Sequence, residues 1–192
     1  MEAKTLTFWK AAASDLDAVT AIYDKIHAQE DAGRVTIGWV TGVYPTRFDA
    51  EQALARNDLY VCEAEGCVAA SGILNQKQVD VYAEGRWAYP AEDSAVFVLH
   101  TLTVDPDLSG RGIGRAFVHF YEDTARKSGC TVLRMDTNEK NAAARRLYAQ
   151  LGYREADIVP CAFNSIPNVR LVLLEKSIGL PHAKRPDFHG TI

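Results

Sequence analysis

No run of apolar residues in this 192-residue chain approaches the ~18 needed to cross a bilayer. The opening MEAKTLTFWK has neither the basic start nor the apolar centre of a secretory signal. A protein of the cytoplasm without a membrane partner is therefore expected. Cysteine is sparse: Cys62, Cys67, Cys130 and Cys161 stand apart, lack the CxxC spacing of a zinc site and are too few for a disulfide scaffold. They read as reduced packing residues, and no metal is expected. Basic charge is not in excess either. The formal net charge is −4, which argues against a nucleic-acid partner. The acid is unevenly placed: residues 1–104 carry 8 Lys or Arg against 15 Asp or Glu, whereas residues 105–155 carry 9 against 7 and residues 156–192 carry 4 against 3. Internal repeats and low-complexity linkers are missing as well. With 47% apolar content, the chain reads as one well-buried domain over residues 1–178 and a loosely held tail over 179–192.

What is present is a mixture of strand and helix signals. LTFWKAA reads as a strand, and SDLDAVTAIYDKIHAQE as a helix with Ser14 and Asp17 at capping-box spacing and Leu16, Val19, Ile22, Tyr23 and Ile26 as its stripe. Thr46 and Asp49 repeat that spacing ahead of a second helix in PTRFDAEQALAR. LYVCEAEGCVAASGIL reads as a hairpin turning at Glu65 and Gly66, with Gly72 as a bulge residue. The polar, aromatic stretch from Asn75 to Asp93 is a strand extension or a loop. SAVFVLHTLTV is apolar on both faces, the pattern of a central strand. A helix runs from Ile113 to the stop at Gly129, and TVLRMDT is the next strand. NAAARRLYAQLGY follows as a helix with Asn141 as N-cap and Gly152 just past its end. NVRLVLLEK closes the sheet.

Between the central strand and the helix after it lies SGRGIG, Ser109 to Gly114. The glycine spacing fits neither the dinucleotide fingerprint nor a Walker A loop, since Arg115 and Phe117 stand where those patterns require other residues. A Gly-rich turn opening a helix, with Arg111 and Arg115 beside it, can still present backbone N–H groups to an anion. An ordinary tight turn is the alternative.

The stretch LHTLTVDPDLSGRGIGRAFVHFYEDTARKSG, followed by NEKNAAARRLYAQLGY, resembles the GCN5-related N-acetyltransferases. The first part is similar to the family's coenzyme-binding strand, turn and helix with its Q/R-x-x-G-x-G/A signature; the second is similar to the motif in which an Asn and a Tyr contact the coenzyme. The likeness covers roughly Val98 to Tyr153. The first signature position is Ser109 here, so one long polar side chain is missing; a backbone cradle over Arg111, Gly112, Ile113, Gly114 and Arg115 does not depend on it. The resemblance implies an α/β fold with a mostly antiparallel sheet, a splayed parallel strand pair and about four flanking helices. It implies acetyl-CoA as cosubstrate, its pyrophosphate on the glycine turn, its pantetheine arm along Leu102, Thr103 and Val104, and contacts from Asn141 and Tyr148.

In that family the Tyr, here Tyr148, gives a proton to the coenzyme A thiolate, and a His at the position of His100 helps deprotonate the amine in some members. A packing role is the alternative for both, and a plain helix cap for Asn141. Glu92 and Asp93 are rival bases. Trp39, Tyr44, Tyr82 and Trp87 lie in segments that would border the acceptor. The function implied is acetyl transfer to a small primary amine; acetylation of a protein N-terminus or lysine, and a non-catalytic coenzyme A-binding module, are the other readings. A homodimer is compatible with each. The excess of acid in the first half leads to a further expectation, that acceptors with a second positive charge are favoured.

Overall fold

The alternation in SAVFVLHTLTV becomes the middle of a seven-stranded sheet in the computed structural model, which describes residues 5–179. The strands are β1 (Thr7–Lys10), β2 (Leu59–Ala64), β3 (Cys67–Asn75), β4 (Val96–Val104), β5 (Val132–Asn138), β6 (Arg154–Phe163) and β7 (Ile166–Ser177), and the helices are α1 (Leu16–Asp31), α2 (Arg47–Ala55), α3 (Ile113–Lys127) and α4 (Ala142–Gln150). The sheet order is β1-β2-β3-β4-β5-β7-β6, antiparallel throughout except for the parallel pair β4 and β5. This is the expected mixed α/β architecture. The expected tail lies, from residue 180 on, outside the described residues.

The sheet is open at its centre. β4 and β5 pair from Val96 with Val132 to Leu99 with Met135, and there the pairing ends. β4 continues beside β3 as far as Val104 with Ala70, and β5 continues beside β7 as far as Asn138 with Leu171. The two central strands thus part and leave a gap in the sheet. On one face Phe97, Leu99, Leu133 and Met135 pack with Ile113, Phe117 and Tyr121 of α3 and Tyr148 of α4. On the other face α1 and α2 cover Leu59, Val61 and Ile73, while Val96, Val98, Leu171 and Leu173 meet Tyr82.

Local signals account for most elements, with three corrections. The expected stripe of α1 is buried, with His27 added to it, but its capping box does not form at Ser14 and Asp17. The chain enters through a 3-10 turn, so the frame moves back: Asp15 accepts from the Ala12 N–H at 2.8 Å and the Trp9 indole at 3.1 Å, and exposed Asp17 pairs with Arg47 at 2.6 Å. The Thr46 and Asp49 cap does form; the carboxylate accepts from both the N–H and the hydroxyl of Thr46 at 2.7 Å. Gly72 is not the bulged residue. The extra residue is on β4, where Thr101 and Leu102 lie opposite Gly72 between the pairs Ile73 with His100 and Ser71 with Thr103. A glycine is needed at 72 because a Cβ there would sit 2.7 Å from the Phe117 ring and 3.2 Å from Leu99. The sheet does not close on the last strand either. β7 lies inside, and the outer edge is β6, which carries Pro160, a residue tolerated on an edge because it cannot donate to a further strand.

Residues 76–95 form the long connection from β3 to β4, a loop with two short 3-10 turns. Glu175, fully buried on β7, holds it by accepting from the N–H groups of Ala88 at 2.8 Å and Tyr89 at 3.1 Å, and by pairing with Arg154. Arg86 adds a two-pronged pair to Asp157 of β6, at 2.8 and 3.0 Å.

Candidate active site

The gap between β4 and β5 opens into a cavity of about 380 Å³ on the α1 and α2 side of the sheet. Its floor comes from Ile73, His100, Asp136 and Leu171, and its walls from α2, residues 75–79 and the β6–β7 turn. The connection from α1 to α2 forms the roof. Glu30 pins that roof by accepting from the N–H groups of Ile37 at 2.6 Å and Gly38 at 2.9 Å. Gly38 lies flat on Asn138 of β5, where a Cβ would meet the amide group at 2.2 Å. Through the gap the cavity reaches Thr101, Leu102, Asn141, Ala144 and Tyr148.

Asp136 is the first β5 residue beyond the last pair with β4, so its carboxylate stands at the point where the strands part. The Tyr82 hydroxyl donates to it at 2.7 Å. Burial disfavours its charged form and pushes its pKa up to about 6, against the opposing pull of the Tyr82 hydrogen bond. Sequence reading passed over this residue. The available signal was an acid closing the apolar run TVLRMDT, but no motif names it.

Tyr148 is buried on α4, lines the cavity and makes no hydrogen bond through its hydroxyl to another described residue. Burial, and after it the charge of Asp136, raise its pKa well above the usual phenol value. His100 also lines the cavity. Its Nε2 lies 3.1 Å from the Lys77 carbonyl and 3.2 Å from the Asn75 Oδ1, two acceptors, so that nitrogen carries a proton. Burial lowers its pKa to about 4, with the Lys77 carbonyl acting in the opposite direction. Asn141 caps α4, its Oδ1 accepting from Ala144 N–H at 3.1 Å, and reaches the cavity as well.

Along the lip of the gap, Asp105 N–H donates to Ala69 of β3 at 2.8 Å. Alternate residues of an antiparallel strand face the same neighbour, so Thr103 turns its backbone to β3 and Val104 turns its own to the gap. The Thr103 side chain is buried against Ser71, their hydroxyls 2.7 Å apart. Thr101 adopts a φ of +50°, rare for a β-branched residue, and its hydroxyl bonds that of Tyr44 from the roof. Past the strand, Gly110 and Gly112 are left-handed at φ +77° and +80°, and no atom comes within 4 Å of where their Cβ atoms would be. Gly112 is the N-cap of α3, which puts Ile113 and Gly114 in its first turn. Arg111 pairs with Glu65 at 3.2 Å and Arg115 donates to Gln150 at 2.8 Å, so both guanidinium groups flank the turn from anchored positions.

The structure divides the remaining candidates. Trp39 and Tyr44 line the cavity. Tyr82 and Trp87 do not. They pack edge to face behind the wall, with Trp87 bonded to the Tyr82 carbonyl and stacked under Arg134 at 4.1 Å, because the 76–95 connection turns these two side chains to the sheet. Glu92 and Asp93 lie on the exposed surface at the entry to β4, outside the cavity, and Gln78 donates to Asp93 at 2.6 Å. All four cysteines are free. Among the described residues, no cluster of three or more metal-ligating side chains occurs and no helix is long and apolar enough to cross a membrane.

Residues 23–153 match the model of the acetyltransferase (GNAT) family. A stretch of 60 residues, 31% of this chain, is 40% identical to the ribosomal protein bS18-alanine N-acetyltransferase of Escherichia coli. The chain spans 40% of the length of the curated relatives it matches. A GNAT-family acetyltransferase structure from Streptococcus agalactiae superimposes with a TM-score of 0.77 at 20% identity, over 91% of this chain and 96% of that one. A Salmonella typhimurium protein described as an acetyltransferase, solved with its cofactor acetyl-CoA, does so with a TM-score of 0.64 at 19% identity, over 95% and 99%.

Proposed function

Since the chain belongs to the acetyltransferase (GNAT) family, we propose that it moves an acetyl group from acetyl-CoA to the primary amine of a small acceptor. The observation that carries this reading is the parted β4 and β5, with a strand lip open on its β5 side and Tyr148 on one side and a roofed cavity holding Asp136 on the other. When bound, the coenzyme would supply an acyl group already activated as a thioester. The chain offers it a fitting seat: two left-handed glycines with empty space beside them, the start of α3 with its exposed N–H groups, and the strand lip Leu102 to Val104. A lip N–H aimed at the thioester carbonyl oxygen would stabilise the charge that develops there.

The acceptor amine must lose a proton before it can attack. Moving that proton from an ammonium of pKa ~10.4 to a group of pKa about 6 costs about 6 kcal/mol, whereas a group near 4 raises the cost to about 9 kcal/mol. We therefore assign the base to Asp136 and a structural role to His100, whose protonated nitrogen is already committed to Lys77. Tyr148 then protects the departing thiolate by giving up its phenolic proton. The two groups are linked. The charge of Asp136 is one of the causes that hold the Tyr148 proton in place, and that charge disappears when Asp136 takes the amine's proton. Tyr148 thus becomes a better acid at the step that needs it.

Acetyl-CoA turnover measured with a panel of free amines against peptides bearing free N-termini and lysines tests the reading. Thiol release and mass gain with small amines are expected. Turnover confined to peptides would establish the protein-acetylating alternative, and tight coenzyme binding with no turnover would establish a binding module.

A further inference from the structure

The charged groups that line the cavity differ in how far the protein itself satisfies them, and this carries the substrate class one step further within the acetyltransferase reading above. Asp49 is committed to capping α2 through two bonds from Thr46. Arg56 spends its Nε and Nη2 on Asp58, at 3.0 and 3.3 Å, and its Nη1 on no described residue. The ammonium of Lys77 makes no ion pair with any described residue; only the Lys77 backbone is engaged, by Asn75 and His100. Asp136 holds one bond, from Tyr82, and faces no cation partner at hydrogen-bonding distance among the described residues.

The acid and the two cations stand at opposite sides of the cavity. Asp136 is on β5. Lys77 follows the end of β3, where Asn75 pairs with Val98, and Arg56 ends α2 beside it, so β4 runs between the acid and the two cations. Strands are about 4.8 Å apart, so the two poles are separated by about two strand spacings, less the reach of the side chains. Between them β4 presents His100, Thr101 and Leu102 to the cavity, while Val169 and Leu171 of β7 lie beyond Asp136. The acids of the first half at this wall are taken up within the protein, Asp49 by Thr46 and Asp58 by Arg56 and Asn75, which leaves the Lys77 ammonium without an ion pair among the described residues and Arg56 with one nitrogen to spare.

We propose that the acceptor is an amino acid in the broad sense, a small molecule whose amine faces Asp136 and whose carboxylate or similar oxyanion is held by Lys77 and Arg56. This reverses the expectation of doubly cationic acceptors. The test compares acceptors sharing one carbon skeleton, an amino acid, its carboxamide and its decarboxylated amine, with diamines alongside, in wild type and in Lys77→Gln and Lys77→Arg. Lys77 is exposed, so neither substitution threatens folding. In wild type the carboxylate form should lead in kcat/KM by about tenfold, as expected of two partly solvated pairs. That lead should shrink as salt rises, fall several-fold in Lys77→Gln and survive in Lys77→Arg. A lead for diamines, or a carboxylate preference unmoved by Lys77→Gln, overturns the inference while leaving amine acetylation intact. If wild type acetylates no small amine, the underlying reading falls and the inference goes with it.

Discussion

With Asp136 as the base, the pH response of the site follows from its titration. Its folded pKa lies near 6, above the ~3.9 of an unfolded chain, so the ionised form is the one the fold disfavours. The sign follows. The native state gains from this group below about pH 4 and loses that gain as pH rises through about 6. Asp136→Asn should therefore melt at a higher temperature than wild type at pH 8, by an amount corresponding to about 1–3 kcal/mol, and close to it at pH 4. The same substitution should lower kcat at pH 8 by roughly 100-fold or more. In wild type kcat/KM should climb through about pH 6. Tyr82→Phe removes a bond that favours the ionised form, so the midpoint should move upward. Calorimetric melts and pH–rate profiles check both statements, and an unmoved midpoint in Tyr82→Phe would return Tyr82 to plain packing. Tyr148→Phe keeps the ring in the core and deletes a hydroxyl that no described residue binds, so kcat should drop roughly 10- to 1000-fold with little change in coenzyme affinity.

The elements that carry the site differ in how they could be read. β4, α3 and α4 are plain in the sequence because two-sided burial leaves an unbroken apolar strand, and because Asn141 and the glycines mark helix ends in the chain itself. β6 is invisible to the same reading: as an edge strand it is half exposed, irregular in register and interrupted by Pro160. Direction is the other thing a sequence withholds. Tyr44 and Tyr82 look alike as aromatic loop residues, yet one roofs the cavity and the other supports Asp136 from behind. Asp136 needed the register, since only the last pair between β4 and β5 shows where the gap begins. Two substitutions test the elements themselves. Gly112→Val places a β-branched residue at φ +80° in otherwise empty space, so titration calorimetry should show a folded protein with acetyl-CoA affinity reduced by tenfold or more. Gly72→Ala instead drives a methyl group into the buried Phe117 ring, and urea unfolding should report a loss of about 1–3 kcal/mol.

The molecule is joined at its centre by little backbone pairing. Among the described residues, the β1-to-β4 half and the β5, β7, β6 half share the strand pairs from Val96 with Val132 to Leu99 with Met135 and one further backbone bond, from Thr131 N–H to the Ala95 carbonyl at 2.9 Å, and the 76–95 connection, held by Glu175, crosses between them. Replacing Glu175 with Leu would leave Arg154 and the N–H groups of Ala88 and Tyr89 without their acceptor, and urea unfolding should report a loss of about 1–3 kcal/mol, since the orphaned groups can reach water. The gap also shows itself in the time domain. Val104 turns its N–H to the opening while Thr103 beside it faces β3, so neighbouring amides on one strand have unequal shelter. In deuterated solvent the free protein should exchange Val104 quickly and Thr103 slowly, although both lie in the same strand. A ligand laid along the lip would act as the missing strand and slow the first without touching the second. The contrast between two adjacent amides thus becomes a built-in gauge of occupancy, readable without a labelled substrate and without any turnover.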